Sequence, residues 1–201
     1  MRIKYNAPTT LTFTLLSGLV LLLSGLVMPN LTADWFATPA PFNPGSFQDY
    51  VKLVSHPLGH ANIDHYISNF SFILLLGPIL EASYGSLAVL LMMFVTALVT
   101  GLLQVFFFPS TILLGASGIV FMMILLASFT NFKKGEIPLT FILIMVVYLG
   151  REVFNAVVSR VSPGGGDNIS QFAHVIGGLV GSFFGFIKPP RRAAVADSSS
   201  P

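Results

Sequence analysis

The sequence predicts an all-α polytopic membrane protein, a bundle of six transmembrane helices. Three observations predict it. The 201 residues are 54% hydrophobic and 9% charged, whereas a soluble domain carries about 25% charged residues. Residues 5–33 contain no Asp, Glu, Lys or Arg, and neither do residues 82–132. As one helix the second run would extend roughly 77 Å. A crossing of the hydrocarbon layer needs only about 30 Å, so this run has to fold back and cross twice. A soluble enzyme, a nucleic-acid-binding domain and a disordered chain are excluded. There is no cysteine, which excludes disulfides, thiolate metal sites and a cysteine nucleophile. The formal charge of +2 names no acidic partner.

The first helix is expected over about 9–28, between Arg2 and Lys4 on one side and Pro29-Asn30 on the other. A cleaved signal peptide is the competing reading. The apolar stretch is long for one and lacks a clean A-x-A site, so a retained helix is expected. Residues 30–61 are too polar and proline-rich to span, and their Trp35, Phe36, Phe42, Phe47 and Tyr50 suit the interfacial zone. The second helix is expected over about 62–82, with Asn62 as N-cap and Gly85 beyond its end. The third, 86–108, stops at Pro109-Ser110, and the fourth, 115–132, stops at Lys133-Lys134. The fifth, 137–157, carries Arg151 and Glu152 near its end, as an interfacial pair of no assigned role. A glycine-rich loop over 159–168 leads to the sixth helix, 170–187. Residues 1–188 thus form one membrane domain. Residues 189–201 read as a disordered tail, and no internal repeat is visible.

An even number of spans puts both termini on one side. That side holds seven cations, Arg2, Lys4, Lys133, Lys134, Lys188, Arg191 and Arg192, and the other holds Lys52, Arg151 and Arg160. The positive-inside rule makes the richer side cytoplasmic. Both ends are therefore expected in the cytoplasm.

Polar residues within spans are costly and point to function. His56, His60 and His65 cluster in the run HPLGHANIDHYISN, which leads into the second helix. His65 and Asn69, four apart, share a helix face. Ser117 opens the fourth helix in LGASGIVF, and His174 lies in the first turn of the sixth in FAHVIGGLVG. Helices two, four and six enter from the same side, so these groups share a depth near three helix N-termini. Free N–H groups and partial positive charge gather there, which suits a developing oxyanion. Ser117 and His174 supply a nucleophile and a base. Gly177 and Gly181 form a GxxxG that lets helices approach closely, and Gly115 and Gly118 flank the serine. From Ser117 to residue 132 is about 24 Å of helix, shorter than the hydrocarbon layer. The serine is thus expected below the surface, where water must still reach it.

These residues resemble the rhomboid family of intramembrane serine proteases. The resemblance rests on Gly115-Ala116-Ser117-Gly118, on His174-x-x-Gly177-x-x-x-Gly181, and on His65-x-x-x-Asn69, in that order on helices two, four and six. His56, His60, Glu81 and Gly85 fit bacterial members. The resemblance implies a six-helix bundle and a Ser117–His174 dyad. It assigns the oxyanion hole to His65, Asn69 and the Ser117 N–H. It also implies single-pass transmembrane substrates cut near the non-cytoplasmic surface, a gate made by helix five and loop 159–168, and a 30–61 loop partly in the outer leaflet.

The sequence departs from the family pattern at three places. Phe121 stands where a Tyr usually stacks on the catalytic histidine, Val51-Lys52 replace a Trp-Arg pair, and Ser83 replaces an Arg. They bear on loop packing and substrate preference. Other roles are structural. His56 and His60 are expected to order the loop over the site, and Glu81 to contact a loop backbone at the membrane edge. Two alternatives stand beside the protease. One is an inactive relative that binds membrane clients. The other is a metalloprotease or metal transporter using His56, His60, Asp64 and His65, disfavoured because no HExxH is present and these residues do not share a helix face. No cofactor and no metal are expected. The partners expected are the lipid bilayer and transmembrane substrates, with no nucleic acid. No feature sets the oligomeric state.

Overall fold

The computed structural model describes residues 3–130, 139, 142, 143, 146, 147, 150 and 168–187, with side chains of the last segment from Gln171 onward. All regular elements among the described residues are helical. The expected fifth helix is described at its six positions between 139 and 150. Each is helical and exposed. Arg151, Glu152, the glycine-rich loop and the C-terminal tail lie outside the described residues.

Helix α1 (Pro8–Leu26) starts with proline at its first position, where the missing N–H costs nothing. Its N-terminal donors are capped from another helix. Glu81 accepts from the Thr9 N–H at 3.2 Å, the Thr10 N–H at 2.7 Å and the Thr10 hydroxyl at 2.6 Å. A carboxylate there also meets the positive end of the helix dipole. Leu15, Leu19, Leu22 and Leu26 line an exposed apolar face, as a lipid-facing helix requires.

Residues 30–61 fold into more structure than a loop: α2 (Leu31–Trp35), α3 (Phe47–Ser55) and a 3-10 turn (His56–Leu58). Ser46 caps α3 by accepting from the Asp49 N–H. Helix α3 lies on α5 (Ser86–Phe107), where Gly101 leaves room for the Leu53 carbonyl.

Helix α4 (Ile63–Tyr84) begins at the Asn62 cap, whose side chain accepts from the His65 N–H at 2.8 Å. It runs antiparallel to α1. Near its end, Gly77 and Glu81 meet Thr10, and near its start the Tyr66 hydroxyl donates to the Thr14 carbonyl at 3.0 Å. Gly85, at φ +87°, is the sole residue between α4 and α5.

Helix α6 (Ser117–Ala127) is the centre of the molecule: Gly118 to Val120 and Met122 to Leu126 are buried. A helix apolar on every side belongs inside a bundle. It is shorter than the expected 115–132. Residue 115 is a positive-φ glycine, and the helix closes after Ala127 into tight turns. Helix α7 (Asn168–Ile187) packs on it in parallel. A Cβ at Gly177 would overlap the Gly118 carbonyl, and one at Gly181 the Met122 carbonyl. The core around α6 is filled by Phe70, Ile73, Leu80, Tyr84, Val89, Met92 and Met93 from α4 and α5.

Candidate active site

The site grows from the turn before α6. Gly115 adopts φ +108°, a conformation open mainly to glycine. A Cβ there would also lie 2.6 Å from Cε1 and 2.7 Å from Nε2 of His65. The absent side chain therefore lets the His65 ring of α4 rest on the backbone just before the serine.

Two histidines of the 30–61 segment hold the same turn. The His56 carbonyl accepts from the Gly115 N–H at 3.0 Å. Its buried ring reaches α5, with Nε2 3.1 Å from the Ala97 carbonyl and 3.4 Å from the Thr100 hydroxyl. The Ala116 N–H donates to His60 Nε2 at 3.4 Å. On the other side of that ring Nδ1 lies 3.1 Å from the Ser17 hydroxyl, which donates to the Leu58 carbonyl at 2.9 Å. The directions form one consistent chain. Since Ser17 spends its hydrogen on Leu58, His60 Nδ1 carries a hydrogen and Nε2 accepts. Burial pushes His56 down to about 4. Burial, then the neighbouring His65, pushes His60 down to about 4. Both rings are therefore neutral, as the chain requires. A further clamp joins the segment to the turn: the Thr38 N–H donates to the Leu113 carbonyl at 2.9 Å, and the Leu113 N–H to the Thr38 hydroxyl at 2.7 Å.

With the N–H groups of Gly115 and Ala116 engaged, the N–H of Ser117 is the next along the chain. It opens α6, where helix geometry offers no intrahelical acceptor. Ser117 and His174 are both half-buried, so neither is sealed from its surroundings. The contact of Gly177 with the Gly118 carbonyl sets the register of α6 and α7, and the Ala173 carbonyl lies against Gly118. Ser117 and His174 thus occupy the same level on adjoining parallel helices. Phe121, one turn beyond Ser117, stacks on the His174 ring with centroids 4.3 Å apart and planes 5° from parallel. Asn69 is buried, and its Nδ2 donates to the His65 carbonyl at 2.9 Å. An amide nitrogen has two hydrogens, so one remains to offer.

The expected site residues fall into two groups. His65, Asn69, Gly115, Ser117, Gly118, Phe121, His174 and Gly177 lie around the starts of α4 and α6, with His56 and His60 above them; because α7 starts at Asn168, His174 stands in its second turn and not in the first turn expected. Gly181 lies a turn further along α7, on Met122. Glu81 is at the far end of α4, on the start of α1. The sequence reading passed over Ser17, Thr38 and the α5 stripe Thr96, Thr100 and Gln104, all buried. The costly-polar-residue rule, applied to α1 and α5, points to Ser17 and to that four-residue spacing. Among the described residues no group of His, Asp and Glu is arranged to hold a metal ion.

Residues 48–191 match the family described as Rhomboid domain. The chain belongs to the rhomboid family. It is an integral membrane protein. Three of its described helices, Pro8–Leu26, Ile63–Tyr84 and Ser86–Phe107, are long and apolar enough to cross a bilayer. This rhomboid is 25% identical over 144 residues to "Rhomboid protease GlpG" of Haemophilus influenzae, covering 70% of this chain and 71% of that one. It is 28% identical to "Rhomboid-related protein 1" of Caenorhabditis elegans, over 68% of this chain and 39% of that one. Identity to "Rhomboid-related protein 2" of Mus musculus is 26%, over 74% and 51%. It therefore spans about half or less of the two animal relatives.

Proposed function

We propose that this rhomboid is an intramembrane serine endopeptidase with a Ser117–His174 dyad. The observation that carries the reading is the α6–α7 contact. Gly177 against Gly118 sets the second and third turns of α7 beside the first turn of α6, and Phe121 stacks on the imidazole one turn from the serine. His174 takes the Ser117 proton as the hydroxyl oxygen attacks the scissile carbonyl carbon. The carbonyl π electrons move to oxygen, where the Ser117 N–H, Asn69 and His65 meet the charge. Collapse expels the amine, which leaves with the proton from His174. Water then attacks the acyl-enzyme, His174 takes its proton, and Ser117 is released with that proton restored. No cofactor takes part.

Substrates are single transmembrane helices cut near the non-cytoplasmic face. The distribution of Lys and Arg argues for both termini in the cytoplasm, and the match to a bacterial member of the family favours a bacterial inner membrane. Two measurements test the proposal: fluorophosphonate labelling of solubilised protein, and cleavage of co-expressed transmembrane reporters. Ser117→Ala and His174→Ala are expected to lose both while keeping the wild-type helical circular dichroism. Cleavage persisting in Ser117→Ala overturns the mechanism. A folded wild type that neither labels nor cleaves favours a client-binding role.

A further inference from the structure

A cavity of about 520 Å³ lies between α1, the end of α3 with the 3-10 turn, and α5, with Ile119 of α6 at its floor. It runs from Thr9 and Ser86 at one end to Pro57 and Leu58 at the other. Six residues of α5, Ser86, Leu87, Leu90, Met93, Phe94 and Ala97, line its length, about 16 Å of helix. Apart from Thr9, Thr12 and Ser86 at one end the lining is wholly apolar, which suits an extended hydrocarbon chain.

The walls ask for hydrocarbon. The polar groups at the rim are already engaged: the Thr9 hydroxyl donates to the Ser86 carbonyl at 3.0 Å, the Thr12 hydroxyl pairs with Tyr5 at 2.9 Å, and the Ser86 hydroxyl bonds Glu81. The mouth is different. Tyr5 folds back onto Thr12 at the Thr9 end, which puts the Lys4–Tyr5 pair there, both exposed. A cation and a phenol at a helix end are interfacial anchors, and an ammonium complements a lipid phosphate.

We infer that this groove is a resident phospholipid site, taking one acyl chain between α1 and α5 with an anionic headgroup at Lys4. The chain ends beneath Pro57 and Leu58. That turn supplies the His56 carbonyl to Gly115 and the Leu58 carbonyl to Ser17. The lipid thus supports the segment over the candidate site. The inference goes beyond the proteolytic reading and is tested without cleavage.

The test uses full-length protein with Trp35→Phe, reconstituted in phosphatidylcholine vesicles carrying a small fraction of phosphatidylglycerol brominated mid-chain. Phe94→Trp puts the only indole in the groove wall. Val95→Trp puts it at the same depth on α5, outside the groove. The Phe94→Trp fluorescence is expected to be quenched more than twofold more strongly, and Lys4→Glu to remove the excess. Equal quenching at the two positions overturns the site, and an excess untouched by Lys4→Glu overturns the headgroup assignment. Should Phe94→Trp not fold, native mass spectrometry of the unsubstituted chain decides. One phosphatidylglycerol retained through delipidation, and lost in Lys4→Glu, supports the site. None retained overturns it.

Discussion

Gly115 carries two constraints at once, a backbone at φ +108° and the His65 ring where a side chain would stand. The backbone strain alone costs a β-carbon about 1–2 kcal/mol, and the ring has to move as well. Gly115→Ala is expected to reduce reporter cleavage at least tenfold while circular dichroism keeps its helical amplitude. Asn69 has a milder role. Removing one oxyanion donor costs about 10²–10³ in rate, so Asn69→Ala is expected to lower kcat by that order, measured on a purified reporter, with the Ser117 N–H still in place. An unchanged kcat removes Asn69 from the oxyanion hole. Phe121→Tyr keeps the ring that faces His174 and is expected to retain cleavage within a few-fold. At this scale the sequence was readable wherever the partner is local. Asn62 as a cap is three residues from the N–H it serves. Ser17 was not readable as the partner of His60, because nothing along the chain says which helix stands beside which.

Among the elements, α1 depends most on a neighbour. Its first N–H groups have no cap of their own and end on Glu81 of α4. Glu81→Gln keeps the shape but removes the charge and turns one acceptor into a donor. The expected cost is about 1–3 kcal/mol, seen as a lower Tm in detergent. An unchanged Tm would mean that α1 is held by its apolar contacts alone. The spans α1, α4 and α5 were legible from hydropathy, since a bilayer demands long apolar runs. Helix α3 was not, although Ser46 and Asp49 form a readable N-terminal signal. Nine residues that lie on the bundle instead of crossing it leave no long apolar signature. The early end of α6 has a local cause. The Ser128 and Thr130 hydroxyls turn back to the carbonyls of Ile124 and Ala127, and such bonds compete with helix propagation.

For the whole molecule, the segment above the site is fastened through two neutral histidines, which makes stability depend on pH. His56 and His60 are both lowered to about 4 by burial, with His65 adding to the effect at His60. An unfolded histidine titrates near 6.5. Between these values the unfolded chain binds more protons, so stability is full above about pH 6.5 and falls as pH drops toward 4. Thermal unfolding in detergent is expected to show Tm declining through that window. The helical bundle and the parallel packing of α6 and α7 were foreseeable, because motif order and parallel entry define them; the cross-fastening by Ser17 and Thr38 arises only once the helices are assembled. The α6–α7 seam has a consequence for engineering. Replacing helical glycine by alanine stabilises a chain by about 0.4–1 kcal/mol where the site has room. Gly177, Gly181 and Gly185 are closed to it, because an added methyl meets the Gly118 carbonyl, the Met122 carbonyl and the Phe129 ring. Gly25 has nothing within 4 Å, and at Gly178 a methyl makes ordinary contact with Leu125. A thermostable form of this protein is therefore to be sought at Gly25 and Gly178, leaving the seam as bare as it is.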